Sequence, residues 1–212
     1  DAGRTAPRVL DAVSRELAFA RRAPRRTAAR EHGDPHPRAG VGRPQPDRQA
    51  ALPWRDPLQV AVEVLDEAPD DGPDAVVDLL RTALADGGCA LVVRNTVGRA
   101  QQTYLAVKAA FGADATVLHG RLTVGERADR ADRVVRQLGP PDRDDAPPRP
   151  QRLVVVATQL AEQSFDVDAD LLVSDLAPID LLLQRIGRLH RHNRTADARP
   201  AAVRAPRIVI TG

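Results

Sequence analysis

The 212 residues suffice for one domain with a substantial core, or one domain with unstructured extensions, but not for two full-sized domains. Of the 31 basic residues only Lys108 is lysine, and the charge is unevenly laid: 11 basic against 6 acidic groups in residues 1–50, 13 against 22 in 51–180, and 7 against 1 in 181–212. With an acidic middle the high pI is no argument for a general nucleic-acid-binding surface, although the arginine cluster from Arg185 onward could meet phosphate; the lone Cys89 excludes an internal disulfide framework, and no apolar run approaches the ~20 residues that span a bilayer.

The N-terminus lacks the apolar stretch of a signal peptide, so a cytoplasmic location is expected. No methionine occurs, not even at position 1, and the chain is expected to be a truncated or split piece of something longer. In chain order, APRVLDAVSRELAFA (6–20) reads as a short helix. The Pro/Arg/Gly-rich run that follows, to Pro53, has no apolar period and reads as linker or disordered chain. We therefore take 1–55 as a basic linker or insertion and 56–212 as the folded domain.

From Val60 onward, short apolar runs alternate with helical patterns. Strands are predicted at VAVEVL (60–65), CALVVR (89–94), ATVLH (115–119), RLVVVAT (152–158), DLLVSDL (170–176) and RIVIT (207–211). Between them, helices are predicted after Pro73 and over Val97–Phe111, Thr123–Leu138 and Ile179–Leu189. The third opens on TVGE, the spacing of a capping box. Continuous apolar strands separated by helices imply an open α/β fold, a mostly parallel sheet covered on both faces. Such sheets bind ligands at the carboxyl ends of their strands.

Those ends are polar here. RNTV offers Asn95 and Thr96, which either cap the following helix or leave its positive end for a phosphate. HGR brings His119, Gly120 and Arg121, with an arginine able to reach an anion. The run ATQLAEQSFDVD empties into Thr158, Gln159, Glu162, Gln163, Ser164, Asp166 and Asp168. On the last helix Gln184, Arg188 and Arg191 recur at i, i+4 and i+7, with Leu182, Ile186 and Leu189 at the same spacing on another face. Guanidiniums so placed suit the charge of a transferring phosphoryl group.

A phosphate cradle of the form G-x-x-x-x-G-K-[ST] is absent from the 212 residues. Asp66-Glu67 imitates a Mg²⁺-holding pair after a strand, but Pro69 and the missing glycine loop favour the end of an edge strand. His119, His190 and His192 lack partners at zinc-ligand spacing, and no nucleophile elbow is present.

In order, LVVRNTV, LHGRLT and VVVATQLAEQSFDVDADLLVSDLAPIDLLLQRIGRLHRH resemble the second RecA-like domain of superfamily 2 helicases, most closely the type I CRISPR-associated helicase-nuclease family. The resemblance runs from about Val60 to Thr211. It implies that Asn95 and Thr96 lie near a nucleic-acid backbone, that His119 and Arg121 track the strand, and that Thr158 and Gln159 face DNA phosphates. It implies further that Glu162, Gln163, Ser164 and Asp166 link strand to nucleotide, and that Gln184, Arg185, Arg188 and Arg191 form the nucleotide-facing motif, with Arg188 and Arg191 on the γ-phosphate. By the same resemblance the cofactor is ATP with Mg²⁺, shared with a first RecA-like domain that carries the P-loop. The partners are single-stranded DNA, that first domain, a metal nuclease domain and a guide-RNA surveillance complex, with 3′-to-5′ movement during CRISPR interference. The chain alone is then not expected to hydrolyse ATP. The alternatives are a non-catalytic nucleic-acid-binding module, disfavoured by the few aromatics available for base stacking, an inert gene fragment, and half of an RNA helicase.

Overall fold

The computed structural model describes residues 58–67, 72–141, 147–159 and 166–212. The helix predicted at 6–20, the linker to Pro53, and Glu162, Gln163 and Ser164 lie outside the described residues. Among the described residues six strands alternate with four α-helices: β1 (Ala61–Leu65), α1 (Asp74–Ala83), β2 (Gly88–Val93), α2 (Val97–Phe111), β3 (Ala115–Leu118), α3 (Val124–Leu138), β4 (Arg152–Ala157), β5 (Leu171–Asp175), α4 (Ile179–Ile186) and β6 (Arg207–Thr211).

The strands form one sheet in the order β1-β6-β5-β2-β4-β3, with every pairing parallel. Because successive side chains point to opposite faces, a strand buried on both must be apolar throughout. β2 divides accordingly. Cys89, Leu91 and Val93 pack with Val134 and Leu138 of α3 and with Leu182 and Ile186 of α4. Ala90 and Val92 pack with Val76, Val77 and Leu80 of α1 and with Ala100 and Val107 of α2. Helices thus cover both faces, as the apolar runs require.

Entry into β2 is a tight turn in which Gly87 and Gly88 have φ of 105° and 111°. A Cβ on Gly87 would also stand 2.6 Å from the carbonyl oxygen of Gln151, so sterics and conformation both require glycine there. At α3 the capping box is present: the Thr123 hydroxyl accepts from the Glu126 N–H, and the Thr123 N–H donates to the Glu126 carboxylate. Among the described residues no helix is long and apolar enough to cross a membrane.

α4 departs from its expected length. It ends at Ile186 rather than Leu189, and the chain tightens into short turns in which Arg188 N–H donates to Arg185 O and Leu189 N–H to Ile186 O, each at 2.9 Å. Gly187 caps the helix, and the next residues leave its axis to run beside Ala169. Arg188 and Arg191 therefore do not continue a helical stripe from Gln184. A backbone partner outcompetes the helix: Ala169 N–H donates to Arg188 O, and His190 N–H to Ala169 O, both at 2.9 Å.

Candidate functional site

Two polar clusters form at opposite edges of the sheet. At the carboxyl edge, Arg94 follows β2 directly and is 1% exposed. Its guanidinium donates to both Glu67 oxygens at 2.6 and 2.8 Å, to Asp175 at 2.8 Å, to the Thr211 hydroxyl at 3.0 Å and to the Thr103 hydroxyl at 2.9 Å. Arg99, on the first turn of α2, adds a bond to Glu67 at 3.0 Å. Two arginines thus meet two carboxylates, and the ends of β1, β2, β5 and β6 are tied into one node.

Burial opposes each of these charges, yet the bonds to Glu67 and Asp175 raise the Arg94 pKa. Against its own burial, the Asp175 carboxyl is held below the usual carboxylate range by the Asn95 N–H and by Arg94. Asp66-Glu67 thus closes an edge strand as expected, but Glu67 also turns inward as a buried anchor. Its arginine partners sit 27 and 32 residues away, which no local pattern announces.

On this node sits the loop that carries Asn95. Its N–H donates to Asp175 at 2.7 Å, its Nδ2 to Leu176 O at 2.8 Å, and its carbonyl accepts from Gln159 Nε2 at 2.9 Å. The Asn95 side-chain oxygen accepts from Arg185 at 3.1 Å. Arg185 is 1% exposed, and it donates at 2.8 Å to the Ser174 hydroxyl. In this arrangement it braces the loop from inside.

Thr96 caps α2 by accepting from the Arg99 N–H at 3.2 Å. His119 and Thr158 are buried, while Asn95, Thr96, Arg121 and Gln159 are exposed. The six residues expected to meet nucleic acid therefore gather at the ends of β2, β3 and β4, two of them behind the surface. Burial, helped by Arg130 and Arg121, lowers the His119 pKa. Its Nδ1 accepts from the Arg121 N–H at 3.2 Å.

The second cluster lies at the amino edge. α4 runs antiparallel to the strands, so residues 187–192 arrive beside the start of β5 and apart from the motifs at the carboxyl ends. Asp166 Oδ1 accepts from Arg191 Nε at 2.5 Å and from His192 Nε2 at 2.9 Å. Burial raises the Asp166 pKa, but those two bonds prevail and hold it low. Burial and the positive charge of Arg191 pull Arg188 below the usual guanidinium range, so an added anion would be favoured beside these arginines. Gln184 is exposed on the last turn of α4.

Beneath lies a buried ion cluster. Asp168 accepts from Arg194 Nε at 2.7 Å, and its two oxygens share Arg199 Nη2 at 2.8 and 2.9 Å. Asp170 accepts from the Cys89 N–H at 2.7 Å and from Arg149 at 2.9 Å, and pairs with Arg199. The alternating acids of DVDAD could have signalled these partners, since they match the arginine-rich run that follows α4. An open groove of about 650 Å³ borders Gly187, Arg191, His192, Arg194 and Arg199. No group of three or more metal-ligating side chains occurs among the described residues.

Residues 86–194 match the family described as "CRISPR-associated nuclease/helicase Cas3, C-terminal". A CRISPR-associated endonuclease/helicase Cas3 of Thermus thermophilus is 50% identical over 94 residues, 44% of this chain and 9% of that protein. The structure of T. fusca Cas3-ATP is 32% identical with a TM-score of 0.63, over 76% of this chain and 18% of that one. A structure of a CRISPR RNA-guided surveillance complex, pre-nicking, contains a chain 31% identical with a TM-score of 0.60, over 73% of this chain and 19% of that one. The chain thus spans less than a fifth of each of these three proteins.

Proposed function

The chain belongs to the family of the C-terminal part of the CRISPR-associated nuclease/helicase Cas3, with a RecA-like helicase fold, and we propose that it is the second RecA-like half of an ATP-dependent single-stranded DNA translocase. The observation that carries this reading is the separation of two polar clusters on one rigid sheet. The carboxyl-edge surface of Asn95, Thr96, Arg121 and Gln159 contacts the DNA backbone, with His119 and Thr158 behind it. The amino-edge cluster of Asp166, Arg188 and Arg191 faces a nucleotide, with Gln184 beside it.

The cluster suits a triphosphate through two guanidiniums whose mutual repulsion a phosphate relieves, beside the one carboxylate that Arg191 already holds. ATP with Mg²⁺ supplies the phosphoryl group and the driving force. This chain supplies the arginines that stabilise its charge, worth on the order of 10³–10⁵ in rate for an arginine finger. The rest of the site, a P-loop and metal-holding acids, comes from a first RecA-like domain. Closure of the cleft between the halves would then move one DNA-gripping surface against the other. A guide-RNA surveillance complex and a nuclease domain are the further partners, and the cytoplasm is the setting.

The test joins this chain to the P-loop half of a Cas3 relative and measures ATP hydrolysis with and without single-stranded DNA. DNA-stimulated turnover is expected from the joined protein and none from this chain alone. Turnover by the chain alone would overturn the reading.

A further inference from the structure

His119 follows β3 directly and is 4% exposed. A buried imidazole needs partners for its nitrogens, whereas a leucine here would pack without that requirement. Both nitrogens are engaged. Nδ1 accepts from the Arg121 N–H at 3.2 Å, and a neutral imidazole that accepts at Nδ1 bears its proton at Nε2. Nε2 faces the side-chain amide of Gln101 on α2, whose nitrogen stands 3.4 Å away. Half a turn of that amide brings its oxygen there to accept the bond.

No nitrogen of the ring is thereby left for a nucleic acid. What the ring reaches instead is the turn that carries Arg121. Leu122 N–H donates to His119 O at 3.3 Å, so the chain folds back over these four positions, and Nδ1 pins the N–H two residues on. An asparagine side chain makes the same bond in an Asx-turn, and asparagine Oδ1 and histidine Nδ1 are both attached to Cγ. Arg121 leaves this turn at the carboxyl edge and is exposed. A guanidinium whose backbone is already oriented loses less freedom on meeting a phosphate.

We propose that His119 is a positioning residue of the single-stranded DNA surface: its buried Nδ1 holds the Arg121 backbone so that the guanidinium meets a phosphate, while the ring itself touches no DNA. The inference rests on the reading of the carboxyl edge as the DNA surface and assigns the orientation of Arg121 to a residue behind that surface.

The experiment measures binding of the chain to a dye-labelled oligothymidine by fluorescence anisotropy across a series of salt concentrations. R121A is expected to weaken binding by roughly tenfold. It should also flatten the dependence of log K on log salt by about 0.7, the share of one single-strand phosphate. H119F keeps a ring and loses the acceptor, and H119Q carries its acceptor one carbon too far; both should reproduce most of the lost affinity and the flatter slope. H119N, whose Oδ1 takes the place of Nδ1, should bind within about twofold of the unsubstituted chain. On an R121A background H119Q should add little. A ring that merely filled space would give another pattern: H119N, the smallest of the three replacements, would bind worst, the slope would not change, and the loss would add to that of R121A. Unimpaired binding by H119Q, binding by H119N no better than by H119Q, or losses additive with R121A overturn the proposal; the comparison of H119N with H119Q stands even if H119F does not fold. R121A separates the two levels. If it binds as the unsubstituted chain does, or if that chain binds no single strand, the DNA reading of this edge falls and the proposal with it, whereas a weakened R121A beside an unimpaired H119Q removes only the role of His119.

Discussion

At the scale of single residues, the most consequential side chains are the buried charges, and the sequence discloses them poorly. Arg94 ends the predicted strand and directly follows β2, yet nothing local marks it as a node joining Glu67, Asp175 and Thr211. Arg185 reads as one more arginine of a basic stripe until packing turns it inward onto Ser174 and Asn95. Removing one member of such a node leaves a charge buried and uncompensated. R94M is thus expected to cost about 3–5 kcal/mol in urea unfolding, whereas R81A, on an exposed pair with Asp78, should cost under about 1 kcal/mol. The same groups set the acid response. Folded-state pKa values are lowered for His119 and His190 by burial. They are lowered also for Asp168 and Asp175, where bonds to arginines and to the Asn95 N–H overcome burial. For all four the folded state binds fewer protons than the unfolded one, so their contribution is complete above the unfolded pKa and is lost as pH falls. Urea midpoints should hold above pH ~6.5, decline gently below it with the histidines, and fall steeply below pH ~4 with the carboxylates. Cys89, pushed up to about 12 mainly by burial, should resist alkylation at pH 8 until the chain unfolds.

At the scale of elements, strands and helices were legible because each follows from a local rule. Doubly buried strands must be continuously apolar, and α2 and α3 begin at hydroxyl caps. The amino-edge ladder was not legible, because its partner, Ala169, is distant in sequence from Leu189 and competes with a helical pattern that remains intact on paper. Hence the spacing of Gln184, Arg188 and Arg191 suggested one stripe, when the chain turns away after Ile186. The two caps allow a matched test of function. Thr96 and Thr123 each accept from the N–H three residues on, so T96A and T123A should each cost about 1 kcal/mol in stability. If Thr96 also faces DNA, only T96A weakens single-stranded DNA binding, several-fold, in fluorescence anisotropy. Equal binding by the two variants would reduce Thr96 to a cap.

At the scale of the whole molecule, the sheet keeps its two polar edges a strand length apart. The residues proposed to meet nucleic acid lie where parallel sheets present ligands, at the carboxyl ends. Those proposed to meet a nucleotide lie at the other edge, because an antiparallel return helix delivers them there. That separation suits a machine in which one rigid body holds DNA at one rim and answers a nucleotide at the other, each contact completed by an opposing domain. The most direct measurement is the effect of R188A on the chain joined to a P-loop half. DNA-stimulated ATP turnover should fall by roughly 10³ or more while single-stranded DNA affinity stays within about twofold, since Arg188 stands at the edge away from the proposed DNA surface. Unchanged turnover, or turnover and DNA affinity lost together, would contradict the account.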